Sequence, residues 1–190
     1  LFNIGYAFEH LSQPDSAEQY YRRTLEVDPT FSSAVSSLAG LFIAQRRLED
    51  ADTLLEQGQR RITGDLELYY LHGIVELKRD NRDEARRLFQ AGKDLIRKGL
   101  RDQPMSADLI VYDGLYSARL GEKIDPAAIA NEVIRIDSIH EESLLGIVRL
   151  FAVTREKTPL LKWFARIKEM NSAEYNEGWL KNAVDFEYFR

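Results

Sequence analysis

The chain contains no cysteine, only 5 prolines and only 11 glycines in 190 residues. The missing thiols exclude disulfide frameworks, thiolate nucleophiles and cysteine-ligated zinc together, and they fit a reducing compartment. So few prolines and glycines exclude a sandwich of many short strands, which needs a turn every several residues. No apolar run approaches the roughly 18 residues that a membrane-crossing helix requires. An excess of positive charge is also lacking. Lys and Arg total 26 against 31 Asp and Glu, a net charge of −5, which disfavours general nucleic-acid binding.

Signatures of chemistry are missing as well. The sequence holds no G-x-G-x-x-G, no G-x-x-x-x-G-K-[ST], no G-x-S-x-G and no H-E-x-x-H, which removes the common nucleotide, hydrolase and metalloprotease motifs. His10, His72 and His140 lie far apart, so none pairs at the i, i+4 spacing of a helical zinc site. Acidic pairs such as Asp83-Glu84 and Glu141-Glu142 fall at helix starts, where they complement the helix dipole. No catalytic residue, cofactor or metal ligand is expected. The chain opens Leu1-Phe2-Asn3-Ile4 without an initiator Met or a secretory signal pattern, and the expectation is a piece of a longer protein. The expected compartment is the cytoplasm, with the periplasm as alternative.

What the chain does have is periodicity. Hydrophobic residues make up 44% and charged residues 30%, enough to bury a core, and one spacing of 34 recurs. Gly5, Ala39 and Gly73 form one column; Ala17, Ala51 and Ala85 a second; Tyr21, Leu55 and Phe89 a third. Thr24, Gly58 and Gly92 make a fourth and Leu1, Val35 and Tyr69 a fifth. An irregular bundle needs no fixed period, whereas stacked repeats do. Each unit reads as two helices. In the first, Leu1, Ile4, Gly5 and Phe8 recur at helical spacing, the chain breaks at Gln13-Pro14-Asp15-Ser16, and a second helix runs from Ala17 to Val27 before Asp28-Pro29. The later turns fall near Arg47 and at Asp80-Asn81. Two antiparallel helices approach closely only where facing side chains are small, so Gly5 is expected against Ala17, Ala39 against Ala51, and Gly73 against Ala85. The large residues Tyr21, Leu55 and Phe89 would then fill towards neighbouring helices.

With these columns the chain resembles the tetratricopeptide repeat family, whose 34-residue helix-turn-helix units stack into a superhelix. The resemblance covers residues 1 to about 100. Departures are Thr24 where the family prefers Ala, Thr63 and Arg97 where Pro is common, and His72 and Glu76 at usually apolar positions. The resemblance implies an all-α fold, a right-handed superhelix of antiparallel helix-turn-helix repeats. Three repeats occupy 1–101. Two diverged hairpins plus a C-terminal capping helix are assigned to 102–190. After Gly99 the register is lost at a connector, Arg101-Asp102-Gln103-Pro104. Helical patterns resume over 107–120, 126–136, 142–153, 159–170 and about 173–183, with Asp125 and Thr158 as expected N-caps before Pro126 and Pro159. The run Ile134-Arg135-Ile136-Asp137 matches Leu25-Glu26-Val27-Asp28, which places Phe151 against Phe42.

The resemblance also implies a groove lined by the first helix of each unit. By matching position its residues are Phe2, Tyr6 and Glu9; Ser33, Ser36, Gly40 and Ile43; and Tyr70, Ile74 and Leu77. Phe2, Tyr6 and Tyr70 form the candidate hot spot if exposed; the alternative is that they pack against further helices or the chain's own end. The lysines and asparagines with which chaperone-tail binders of the family clamp a terminal carboxylate are replaced by Phe2, Tyr6, Ser37 and Leu71, so that activity is not expected. The most basic interval, Lys78 to Arg101, interleaves acids with its Lys and Arg residues and reads as a solvated, ion-paired helix face. The expected function is a non-catalytic protein- or peptide-binding scaffold. The alternative is a cis-regulatory region of a larger bacterial signalling protein with an intramolecular domain partner, since Trp179 to Glu187 resembles the closing segment of repeat regions attached to kinases and cyclases.

Overall fold

The computed structural model describes residues 1–137, 141–169 and 185–186, with Glu141, Glu142 and Lys168 described by backbone alone. Ten α-helices lie among them: α1 (Phe2–His10), α2 (Pro14–Val27), α3 (Ser32–Ala44), α4 (Leu48–Arg61), α5 (Leu66–Lys78), α6 (Arg82–Asp102), α7 (Ala107–Arg119), α8 (Pro126–Ile136), α9 (Glu141–Val153) and α10 (Lys157–Glu169). The described residues contain no strand. They fall into two compact units, Leu1–Leu88 and the described residues from Phe89 onward, Asp185 and Phe186 included. His140 and the capping helix expected at 173–183 lie outside the described residues.

Local chemistry fixes the helix ends. Pro14 and Pro126 open α2 and α8, where a missing amide proton costs nothing. Asp125 caps α8 by accepting from the Ala127 and Ala128 amides, each at 3.0 Å. Asp65 caps α5 through the Leu68 amide at 3.1 Å. Thr158 is not a cap: α10 starts at Lys157, which puts Pro159 third in the helix, still among the amides without an intrahelical acceptor. Helix α2 ends at Asp28 in extended geometry (φ −136°, ψ 95°) before Pro29. Ile62 and Asp137 end α4 and α8 in the same way without a following proline, so the Thr63 departure leaves the break intact.

Each hairpin closes on a left-handed residue: Ser12, Arg46, Asp80, Gly121 and Arg155, with φ of 56°, 61°, 59°, 75° and 63°. The amide of the next residue reaches back to the carbonyl five positions earlier, as Gln13 to Phe8 (2.9 Å), Arg47 to Phe42 (2.8 Å), Asn81 to Glu76 (2.8 Å), Glu122 to Ser117 (2.9 Å) and Glu156 to Phe151 (2.9 Å). This is the bond that satisfies the last free carbonyls of a helix. The five turns are spaced 34, 34, 41 and 34 residues apart. The 34-residue register therefore survives past Gly99, displaced by seven. Helix α6 holds the extra residues, at 21 against 14 in α2 and in α4. Seven residues are almost two turns, so the apolar stripe of α6 returns to nearly the same face.

The core of the first unit is built from the repeating columns. Ala17, Tyr21, Val35, Leu38, Phe42, Ala51 and Leu55 are all buried in one cluster. The small residue at position 5 is dictated by a different neighbour than the columns suggest: a methyl there would stand 2.9 Å from the Tyr21 ring, so Tyr21 fills against its own hairpin. The outward column of α1 differs from its successors. Leu1 and Ile4 are 50% and 45% exposed, while the matching Val35 and Leu38 are buried.

Candidate functional site

The first helices α1, α3 and α5 carry the groove positions, and the structure divides them. The Phe2 ring lies 5.2 Å from Phe31, 5.6 Å from Tyr21 and 6.2 Å from Tyr6, and Tyr6 meets His10 edge-on at 4.4 Å. Phe2 and Tyr6 keep partial access to solvent, and Phe31 is 37% exposed. Ser33 is exposed and Ser36 half-buried, with its hydroxyl donating to the Ser33 carbonyl at 3.2 Å. Leu77 is exposed.

Three groove positions are closed. Tyr70 has no exposed surface, and Ile43 and Ile74 are buried as well. Of the two readings offered for it, Tyr70 thus takes the packed one and leaves the exposed aromatic set: matching positions identifies a helix face but not what covers it. Phe31 takes the third aromatic place. It lies just before α3, outside any helical periodicity, and only its nearness to Pro29 could have drawn attention to it.

Gly40 differs from Gly58 and Gly92. A methyl at Gly92 would collide with Tyr116 and one at Gly58 with Val35, whereas one at Gly40 would meet no atom of the described residues within 4 Å. Glu9 sits half-buried, accepting from the Tyr21 hydroxyl at 2.6 Å. Burial raises its carboxyl above the ordinary value of 4.5, while the Tyr21 bond and His10 oppose the rise. The Tyr21 hydroxyl is pushed up by burial and by the Glu9 charge.

The departures at His72 and Glu76 belong to a buried polar cluster. Glu76 occupies the column of Phe42, is 2% exposed, and accepts from Arg79 at 2.7 Å and Asn81 at 2.6 Å. Arg79 also donates to Asp52 at 2.7 Å. His72 joins α5 to α4 through Asp52 at Nε2 (2.8 Å) and Gln59 at Nδ1 (3.0 Å). Asp52, His72 and Glu76 bring three potential metal-ligand atoms within 4.8 Å of one another. The Arg79 guanidinium already bridges both carboxylates as the local cation, its own proton held more tightly by the Glu76 bond and the Asp52 charge. The cluster thus reads as a satisfied ion-paired tie between α4 and α5.

Carried across the seven-residue step, the same positions hold Lys93, Asp113, Ser117 and Glu122. Lys93 donates to Ser117 at 2.8 Å and Glu122 at 2.6 Å. One unit earlier, Arg47 pairs with Glu18 and lies 4.3 Å above the Phe42 ring. Burial pushes the Glu18 carboxyl up, but the Arg47 and Arg22 hydrogen bonds outweigh it and leave it lowered. Three successive copies of one position therefore join opposite charges. The basic interval is likewise paired internally: Arg82 with Asp80, Arg87 with Glu84, and Arg97 with Asp94. Among the described residues no helix is long and apolar enough to cross a membrane.

A thermophilic TPR protein of Thermus thermophilus superposes with a TM-score of 0.56 over 88% of each chain, at 19% identity. The fold is that of the tetratricopeptide repeat. PilF of Pseudomonas aeruginosa (TM-score 0.46, 16% identity, 98% of this chain and 78% of that one) and a tetratricopeptide repeat protein of Parabacteroides merdae (TM-score 0.46, 13% identity, 97% and 71%) are more distant likenesses. No protein-family model and no curated protein sequence matches the chain. The TPR assignment thus joins the 34-residue columns, the five recurring turns and the first superposition.

Proposed function

We propose that the chain is a non-catalytic scaffold that binds a protein or peptide segment along the first-helix face of its TPR array. Gly40 is the observation that carries this reading. A glycine inside a helix costs about 0.5–1 kcal/mol relative to alanine, and at Gly40 no packed neighbour among the described residues demands it. A ligand backbone approaching closely does. The half-buried rings of Phe2 and Tyr6, with Phe31 beside them, supply apolar area, and Ser33 and Ser36 supply hydrogen-bonding groups to orient the ligand. Because the helices are ordered on folding, the partner alone loses freedom when it docks. The polarity of the face and the net charge of −5 favour a protein ligand over nucleic acid. The cytoplasm remains the proposed compartment.

Peptides selected on the chain from a display library provide the test, with affinities measured by calorimetry. Gly40→Leu is expected to weaken the selected peptides at least tenfold without lowering the melting temperature. Phe2→Ala should likewise weaken them, with circular dichroism checking that the chain stays helical because Phe2 also packs on the core. Equal affinity for all three proteins would overturn the proposal. The cis-regulatory alternative draws no support from the described residues, since its basis lies almost wholly outside them.

A further inference from the structure

Two arginines on neighbouring first helices of the second unit converge on one carboxylate. Arg119, at the end of α7, donates from Nη2 to Oδ1 of Asp185 at 2.8 Å, and Arg149 of α9 donates from Nε to Oδ2 at 2.6 Å. The Asp185 side chain is 2% exposed and the two arginines 21% and 16%. The next residue, Phe186, is buried too. Burying a carboxylate is costly unless it is paired and hydrogen-bonded, and here each oxygen has its own guanidinium.

Position gives this clasp its meaning. Across the displaced register, Arg149 falls in the column of Tyr6, Gly40 and Ile74, and Arg119 in the column of His10 and Lys78. The chain thus places the Asp185 carboxylate on first-helix positions of its own repeats, 36 residues beyond Arg149 and 66 beyond Arg119, with the buried Phe186 next to it. Both bonds join side chains alone and continue no repeat, as those of a separate peptide would. We propose that the α7–α9 face is a recognition site for a peptide bearing Asp followed by an aromatic residue, and that Asp185-Phe186 fills it in cis. Each carboxylate oxygen meets its own guanidinium, which selects Asp over Asn, and burial at the next position selects a large apolar ring. A partner carrying the same dipeptide competes with the chain's own copy. The site lies on other helices than the Gly40 face and stands or falls separately from it.

The 190-residue chain carrying Asp185→Asn/Phe186→Ala tests this with a fluorescein-labelled synthetic peptide spanning residues 182–190, followed by anisotropy. The double variant is expected to bind the peptide at least tenfold more tightly than the unaltered chain. Binding should fall at least tenfold when Asn replaces the peptide's Asp, and likewise when Arg149→Ala is added to the protein. Far-UV circular dichroism checks that the variant stays helical, and Asp185→Asn alone, which preserves shape, serves if the double variant does not. No saturable binding by either variant, or equal binding of the Asp and Asn peptides, would make the clasp a purely internal tie. Concentration-dependent dimerisation of the unaltered chain that Asp185→Asn abolishes would assign the site to the tail of a second copy and equally overturn the proposal.

Discussion

Gly92 and Gly40 both lie inside helices, yet alanine should move stability in opposite directions at the two positions. At Gly92 the added methyl would stand 2.3, 2.4 and 2.6 Å from Cε1, Cζ and Oη of Tyr116, where carbon atoms normally keep about 3.5–4 Å. Tyr116 is fully buried, edge-on to Phe89 at 5.9 Å and tilted against Tyr112 at 6.4 Å, so its ring has little room to retreat. Overpacking of this kind costs about 1–3 kcal/mol, and the helix propensity of alanine returns about 0.5–1 kcal/mol. Gly92→Ala should therefore destabilise by roughly 1–2 kcal/mol, a fall of about 2–8 °C in melting temperature for a chain of this size. Gly40→Ala has no collision to offset and should stabilise by about 0.5–1 kcal/mol. Thermal melts followed by circular dichroism read both. A double-mutant cycle strengthens the assay: in a Tyr116→Ala background, Gly92→Ala should lose its cost. Shifts of the same sign at the two glycines, or an undiminished cost at Gly92 in that background, would refute the reasoning.

Two further outcomes concern the polar interior. Glu9 has a folded pKa above its unfolded one because burial dominates, so the stability it contributes is complete below about pH 4.5 and is lost as pH rises through the higher folded value. Glu9→Gln should consequently gain on the unaltered chain between pH 4.5 and 7 in urea melts; a gap that stays constant or shrinks would contradict this. Glu76→Ala removes the acceptor shared by Arg79 and Asn81 and leaves a void, a loss of about 2–4 kcal/mol by denaturant unfolding. A loss below about 1 kcal/mol would mean that the cluster contributes little.

Much of the first unit is legible in the sequence because its information is local. Pro29 marks the end of α2 by chemistry confined to one turn, and the 34-residue columns mark which residues face inward. In the second unit Pro126 and Asp125 mark the start of α8 in the same way, whereas Pro14, read as part of a break before Ala17, is itself the first residue of α2. The columns also single out His72 and Glu76 as anomalies, which the structure resolves as a polar tie. Legibility ends where three-dimensional cover decides. Tyr70 has the right helical position for a groove but no exposed surface. Beyond Gly99 seven extra residues in α6 interrupt the columns, and the displaced register is carried in the sequence by the match of Ile134–Asp137 to Leu25–Asp28, whose pairing of Phe151 with Phe42 the equivalent turn bonds share. Arg119 and Arg149 look like ordinary surface charges until Asp185, distant in sequence, is seen between them.

The bare outer side of α1 bears on how the array comes apart. Helices α3 and α4 pack against α2 on one side and α5 on the other, whereas Leu1 and Ile4 face water where their counterparts Val35 and Leu38 are roofed over. In a stack governed by nearest neighbours, the 190-residue chain taken by itself frays first at a hairpin whose outer face has no neighbour. Amide protons of α1 and α2 should therefore trade with solvent sooner than those of α3 and α4, and the aromatic face that Phe2 and Tyr6 supply would be the first part of the groove to loosen and the first that a bound ligand would steady.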